Sequence, residues 1–305
     1  MADMNLRLPA ASELGPGRYS DGHPLDEVHY LEGKIILKPD RFTSTKSFRH
    51  FAKIVERVAD ETDVDFSPGK LDRETLQIRE VVFLDTADFR LYNNAFILRR
   101  RILYRDGFPV GDPEVVFKFR HPDMQKSAEL DVRPQIPGAA RIKFKAEALP
   151  LRDQLGGFRV LYSHSAEFGL SDVRHEGRTS MTTLARVFPC LTALQSPDDD
   201  RVELVNQTVV EEVLLALGKL DFGKGVKAKT DVALWRERGR HLPLAGEYSF
   251  QARFDRPDEL QAKARRRCER FFIGLQWALR DWVSLGTTKT GIVYRLKGNP
   301  PQSHE

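Results

Sequence analysis

The chain has 305 residues, of which 41% are hydrophobic and 30% are charged, and its formal net charge is +4. This length permits one large domain or two ordinary ones, and so small a net charge does not mark a nucleic-acid binder. No apolar run approaches the roughly 20 residues that span a bilayer, and the N-terminus lacks the apolar core of a signal peptide. Cys190 and Cys268 stand without metal-ligand spacing, so we expect a reduced, cytoplasmic protein with neither a membrane partner nor a thiolate zinc site.

The chain begins with a predicted tail and a predicted strand. Residues 1–26 mix Pro, Gly, Ser and charge without periodicity, which is typical of a tail. Residues 30–37 follow as a strand, and their alternation places Tyr30, Glu32 and Lys34 on one face.

An amphipathic helix is predicted next. Phe48, Phe51 and Val55 recur at three- and four-residue spacing within residues 44–61, which gives one apolar stripe. Residues 64–74 are polar and predict a loop.

The segment 82–101 predicts a hairpin that ends in three consecutive arginines. Residues 82–84 favour a strand, and Asp85 and Thr86 supply turn chemistry. Asn93 and Asn94 tolerate positive φ, so we expect a tight reversal there before a second strand begins at residue 96.

The arginines of this second strand divide between its faces. Alternation places Arg99 and Arg101 on one side and Arg100 on the other. Two neighbouring guanidiniums repel each other unless an anion lies between them, so this strand is a candidate phosphate-binding element.

Further strands are predicted along most of the remaining chain, with two helices between and after them. The predicted strands span 114–120, 128–133, 141–147, 158–162, 209–220, 226–235, 247–254 and 291–296, and the helices span 182–188 and 257–285. About eight or nine strands with short connections and few helices predict an antiparallel α+β domain.

Charged residues recur at every second position of these strands. The basic ones are Lys34, Arg99, Arg101, Lys118, Arg120, Arg133, Lys143, Lys145, Lys227 and Lys229, and the acidic ones are Glu32, Glu129, Asp131, Asp231 and Glu247. A sheet with a solvated outer face produces this pattern. A barrel that turns its charged faces inward produces it too, provided that a polyanion or a metal offsets the buried charge.

Several motifs occur in an order that is known from one protein family. Glu32 and Lys34 match the end of an E-x-E-x-K first strand, and residues 83–86 (FLDT) precede Leu98-Arg99-Arg100-Arg101, which reads L-R-x-R. Lys118 follows on the next strand. The chain therefore resembles the CYTH, or triphosphate tunnel metalloenzyme, superfamily, which includes thiamine triphosphatases, inorganic triphosphatases and class IV adenylate cyclases.

The resemblance implies a fold and a set of site residues. The fold is a closed or nearly closed eight-stranded antiparallel β-barrel with a charged interior, flanked by helices, in a single domain over 27–298 between tails at 1–26 and 299–305. The residues expected to bind the phosphates are Lys34, Arg99, Arg101, Lys118, Arg120, Arg133, Lys229 and Lys289. Glu32 and Glu247 are expected to hold Mg²⁺ or Mn²⁺.

The sequence also departs from the family pattern. Tyr30 and Ser249 each stand where the family has a second Glu, so fewer carboxylates remain to hold a hard cation. Asp231 and Glu129 are alternative ligands.

Three functions follow from the resemblance. One is metal-dependent hydrolysis of a triphosphate or similar phosphorylated small molecule. The second is a non-catalytic module that binds the same kind of anion, and the third is nucleotide cyclisation.

Overall fold

The computed structural model describes residues 24, 27–69, 71, 76–172, 179–195, 200–254 and 261–300. Apart from Pro24, Asn299 and Pro300, both predicted tails lie outside these ranges, so the domain boundaries stay a prediction. In the described ranges, no helix is long and apolar enough to cross a membrane.

In the part of the chain that the structure describes, nine strands close into a barrel, and a tenth strand pairs with one end of a barrel strand. The barrel strands are β1 (Tyr30–Leu37), β3 (Gln77–Asp85), β4 (Phe96–Arg105), β5 (Phe108–His121), β6 (Arg141–Pro150), β7 (Phe158–Gly169), β8 (Glu203–Asp221), β9 (Lys227–Glu237) and β10 (Pro243–Arg253). Their order is β8-β3-β4-β5-β7-β6-β1-β10-β9, and pairing of β8 with β9 closes the ring. Strand β2 (Asp65–Pro68) pairs with the far end of β8.

The closed barrel confirms the predicted architecture but not its details. The number of strands is nine in place of eight, and β1 pairs with β6 in parallel. This parallel pairing is a non-local feature, because the two strands are separated by most of the first half of the chain. Alternation within a strand carries no information about the direction of its neighbour.

One side of the barrel is covered by two helices, α1 (Thr45–Glu61) and α5 (Ala262–Ala278). Phe51 of α1 and Phe271 of α5 join the core cluster that contains Ile35 and Leu37 of β1. Lys34 and Ile36, which alternate with these two residues along β1, line the barrel interior. The apolar stripe of α1 therefore sets which face of β1 points inward.

A second apolar cluster lies at one end of the interior. Tyr294 of α6 (Lys289–Tyr294) stacks on Tyr92 of α2 (Arg90–Asn93) with 4.1 Å between the ring centroids. Ile36 and Trp235, which line the interior, belong to the same cluster. This end of the barrel is thus packed with side chains.

A buried carboxylate ties the β3–α2 turn to α6. Asp85 accepts hydrogen bonds from the backbone N–H groups of Thr86, Leu91 and Tyr92 at 2.8–2.9 Å, and from the Tyr294 hydroxyl at 3.1 Å. The turn chemistry predicted for Asp85 and Thr86 is present. Positive φ, however, occurs at Phe89 and Ala95 and not at the predicted Asn93 and Asn94, which belong to α2 and its C-terminal end.

Two predicted strands are wrong, and helix caps explain both. Part of the 128–133 segment belongs to α3 (Met124–Glu129), because the Asp123 side chain accepts from the backbone N–H groups of Gln125 and Lys126. The final 291–296 strand is α6, whose N-cap Thr288 accepts from the Gly291 N–H. Capping hydrogen bonds of this kind favour a helix over a strand at the same sequence.

Other elements agree with their predictions to within a few residues or extend them. The predicted helix 182–188 is α4 (Met181–Val187), and the predicted strand 158–162 is the start of β7. The predicted loop 64–74 contains β2. The start of the predicted 257–285 helix falls on residues 255–260, which lie outside the described ranges, and α5 ends at Ala278.

Candidate anion-binding tunnel

The barrel interior holds a polar cavity of about 270 Å³. Among the described residues, its lining includes ten basic side chains and five acidic ones. The basic side chains are Lys34, Arg79, Arg99, Arg101, Lys118, Arg120, Arg141, Lys143, Lys145 and Lys289, and the acidic ones are Glu32, Glu167, Glu212, Asp231 and Glu247. The excess of positive charge makes the cavity attractive to an anion.

Strand alternation determines which arginines of β4 reach this cavity. Arg99 and Arg101 line it, whereas Arg100 lies on the outer surface, 3.6 Å from Glu80. Lys118 and Arg120 of β5 also line it, while Phe119 between them packs in a separate core cluster. The charged faces of these strands point inward, so the interpretation as a solvated outer face is wrong for them.

A fully buried carboxylate, Glu147, gathers three cations at the cavity wall. It lies 3.3 Å from Lys34 Nζ and 3.9 Å from the Arg120 guanidinium, is ion-paired to Lys118, and accepts a hydrogen bond from Ser163 Oγ at 2.6 Å. Burial opposes its ionisation, but Lys118 and Lys34 hold its pKa well below the usual range. One carboxylate cannot neutralise three cations. Burial disfavours the charged form of Lys118 and lowers its pKa to about 7.

Glu32, the acid retained in the first-strand motif, is also ion-paired. Its carboxylate lies 3.0 Å from Lys34 Nζ and 3.3 Å from Lys145 Nζ. Burial opposes the ionisation of Glu32, but Lys145 and Lys34 more than offset it and lower its pKa to about 2. The Glu32 carboxylate is therefore charged at neutral pH.

Glu247, the other predicted metal ligand, pairs with a lysine of α6. Lys289 Nζ lies 2.7 Å from Glu247 and 3.3 Å from Glu212. The same ammonium lies 4.3 Å from the centre of the Trp235 ring, a cation–π geometry. Lys289 thus enters the cavity from the end that α6 packs against.

Arg99 differs from these groups because no carboxylate contacts its guanidinium directly. Glu212, Glu167 and Glu114 attract it electrostatically from farther away. Across the described ranges none of them forms an ion pair with it, and its Nε has no hydrogen-bond partner. Burial, with Arg101 nearby, lowers its pKa to about 10, so it remains charged at neutral pH. A half-buried, unpaired guanidinium on the cavity wall is a group that an incoming anion would satisfy.

The residues predicted as metal ligands do not fit a shared divalent cation. On the paired strands β1 and β10, Glu247 is opposite Ile36, four residues along from Glu32. This offset corresponds to about 13 Å between the two backbone positions at about 3.3 Å per residue, so the two carboxylates do not stand side by side as paired metal ligands do. Within the described ranges, no group of three His, Cys, Asp or Glu side chains could hold a metal.

Two predicted phosphate ligands are not brought to the cavity. Arg133 follows α3 and forms a bidentate pair with Asp131, with Nε 2.7 Å from Oδ2, so its charge is satisfied outside the barrel. Lys229 is exposed, and it precedes by two positions Asp231, the first β9 residue that lines the cavity. Of the two alternative metal ligands, Asp231 lines the cavity, and Glu129 accepts instead from Gln125 on α3.

Other cavity residues are absent from the predicted site. Arg79, Glu147 and Glu212 come from β3, β6 and β8 and lie in or against the lining. For Glu147 a signal exists, because it continues the alternation of Arg141, Lys143 and Lys145. For Arg79 and Glu212 the decisive fact is their contact at 3.4 Å across two strands, which a single strand's pattern does not contain.

No family model and no curated protein matches the sequence. Among solved structures, a candidate adenylyl cyclase from Hippeastrum, described as having a dominant triphosphatase activity, is 12% identical with a TM-score of 0.40, over 91% of this chain and 100% of that chain. A candidate adenylate cyclase from Bacillus halodurans is 9% identical with a TM-score of 0.35, over 81% of this chain and 91% of that chain. At these scores and identities, the similarity assigns neither a family nor an activity by itself.

Proposed function

We propose that the chain belongs with the triphosphate tunnel proteins that its sequence resembles, and that its barrel binds a triphosphate or a similar phosphorylated small molecule. The observation that carries the proposal is the unpaired Arg99 on the wall of a cavity whose lining has an excess of basic side chains. Arginine suits this role because its planar guanidinium can grip two oxygens of one phosphate at once.

The neighbours of Arg99 support an extended anion over a single phosphate. Arg101 lies two residues along the same strand, and Lys118 is the register partner of Ile97 on the adjacent strand. A chain of phosphates could contact all three cations in turn, whereas one phosphate reaches fewer of them. We therefore expect affinity to increase from phosphate to pyrophosphate to tripolyphosphate.

The geometry supports binding better than hydrolysis. The predicted hydrolase reaction depends on a divalent cation, and its two predicted ligands are separated by four residues along the paired strands. Each of these acids is also paired with a lysine. Hydrolysis and cyclisation remain predictions of the sequence resemblance alone.

Isothermal titration calorimetry tests the proposal. Phosphate, pyrophosphate and tripolyphosphate are titrated into the protein, once with EDTA and once with Mg²⁺, and sulfate serves as the anion control. We expect tripolyphosphate to bind with micromolar or tighter affinity in at least one condition, and sulfate to bind more weakly. An absence of tripolyphosphate binding in both conditions would refute the proposal.

A phosphate-release assay addresses turnover separately. Tripolyphosphate, ATP and thiamine triphosphate are incubated with the protein and Mg²⁺ or Mn²⁺, and a Glu32→Ala variant is the control. Release above that control would add hydrolysis to the binding function, and cyclic nucleotide formation from ATP would indicate cyclisation.

A further inference from the structure

We infer that Lys34 and Lys289 each occupy the place between two carboxylates that a divalent cation would take, so that the tunnel binds its anion without a resident metal. The inference deepens the proposed function and rests on it for the claim that the tunnel binds an anion. The claim that the tunnel holds no metal is independent of that function, because metal binding can be measured without any anion.

The first carboxylate pair is formed by neighbouring strands. Glu32 of β1 and Glu147 of β6 are register partners in the parallel pairing. The ammonium of Lys34 lies between them, 3.0 Å from Glu32 and 3.3 Å from Glu147. Lys145 and Lys118 add further positive charge at the outer sides of the pair.

The second carboxylate pair spans three strands. Glu212 of β8 and Glu247 of β10 are separated by β9, and Lys289 Nζ contacts both, at 3.3 Å and 2.7 Å. Trp235 of β9 fixes this arrangement, since its Nε1–H donates to Glu212 at 2.7 Å and its ring lies under the ammonium.

These contacts leave little room for a hard cation. Mg²⁺ and Mn²⁺ sites are built from oxygen ligands around the ion, and each carboxylate pair here already encloses an ammonium. A metal at either pair would have to displace that ammonium into a wall that carries an excess of positive charge. Displacing a buried charge from its partners is costly, so the lysines exclude the metal and themselves supply the positive charge.

The two lysine sites differ in how many ion pairs their carboxylates retain when the lysine is removed. Without Lys34, Glu147 would keep Lys118 and Arg120, and Glu32 would keep Lys145. Without Lys289, Glu212 would keep Arg79, but within the described part of the chain Glu247 would have no ion-pair partner. Removal of Lys289 should therefore create a metal site more readily than removal of Lys34.

The test is a Mn²⁺ titration followed by electron paramagnetic resonance, with no anion present. Wild-type protein, Lys289→Met and Lys34→Met are compared. Lys229→Met is the matched control, because it removes one lysine from the same barrel without exposing a carboxylate pair. We expect only weak, millimolar binding in wild type and control, and binding at least about tenfold tighter in Lys289→Met.

Stoichiometric Mn²⁺ binding by wild type at micromolar concentration, lost in Glu247→Gln, would overturn the inference. This result comes from the wild-type protein and the Glu247→Gln variant, so it can be obtained even if Lys289→Met does not fold. Equal Mn²⁺ affinity in folded Lys289→Met and Lys229→Met would likewise count against the role of Lys289. Failure of tripolyphosphate binding refutes the proposed function and leaves the Mn²⁺ result unaffected.

Discussion

Arg99 and Arg100 are consecutive residues on β4, yet they lie on opposite sides of the barrel wall. Arg99 lines the cavity without an ion-pair partner among the described residues, and Arg100 lies outside beside Glu80 at 3.6 Å. The two side chains are identical in chemistry and share one strand. Substitutions of these two residues can therefore distinguish the loss of a contact to the bound anion from the loss of one positive charge anywhere on the protein.

Replacing Arg99 by Gln should weaken tripolyphosphate binding. The loss of one charge-assisted contact costs about 1.5–3 kcal/mol, which corresponds to a roughly 10- to 100-fold higher dissociation constant. Calorimetry measures it, and Arg100→Gln is the control, expected to change the constant by less than about twofold. Equal effects of the two substitutions would contradict the assignment of Arg99 to the site.

Anion affinity should fall as the pH rises through about 7. Burial lowers the pKa of Lys118 to about 7, so its amine is mostly charged at pH 6 and mostly neutral at pH 8. An anion favours the charged form, and binding at pH 8 should therefore be accompanied by proton uptake. Calorimetry in two buffers that differ in ionisation enthalpy measures this uptake.

Lys118→Met separates this effect from the titration of the phosphates themselves. The variant should bind more weakly at pH 6 and should lose part of the proton uptake at pH 8. If wild type and variant take up the same number of protons, the uptake does not come from Lys118.

Asp85→Ala should destabilise the protein strongly. The substitution leaves three buried backbone N–H groups and the Tyr294 hydroxyl without their acceptor, and each orphaned group costs about 1–3 kcal/mol. We expect a loss of at least about 3 kcal/mol in the free energy of unfolding, measured by urea denaturation. Asp88→Ala in the same turn is the control and should cost about 1 kcal/mol or less, because Asp88 is exposed.

Gly33→Ala should disturb the first strand between its two charged neighbours. A Cβ at Gly33 would lie 2.3 Å from the Phe250 ring, and such overpacking costs about 1–3 kcal/mol. Gly239→Ala is the control, since a Cβ there meets nothing within 4 Å. Thermal unfolding should show a lower midpoint for Gly33→Ala alone, and equal midpoints for both variants would show that Phe250 can move aside.

Local patterns predicted most of the strands and which residues share a face of each strand. The bounds of β1 and the common face of Glu32 and Lys34 follow from alternation within a single strand, and so does the common face of Arg99 and Arg101. They could be predicted because the period of two is fixed by the geometry of an extended backbone. The resemblance to a known motif order then favoured the inward over the outward interpretation.

Relations between distant strands could not be predicted in this way. The buried Glu147 and the Arg79–Glu212 contact depend on which strands are neighbours. The failure at residues 291–296 has a different cause, because a single cap at Thr288 changes a strand-like segment into α6. Arg133 lies away from the cavity for the same kind of reason, since the cap at Asp123 places a helix before it.

The position of β1 between β6 and β10 has a consequence for biosynthesis. Its antiparallel partner, Pro243–Arg253, is translated roughly 200 residues later, and domains generally fold as units once their sequence has emerged. During that interval Ile35 and Leu37, which end up fully buried, have no complete core to enter. The nascent chain therefore exposes an apolar strand until β10 has been translated, and such exposure favours aggregation during that interval.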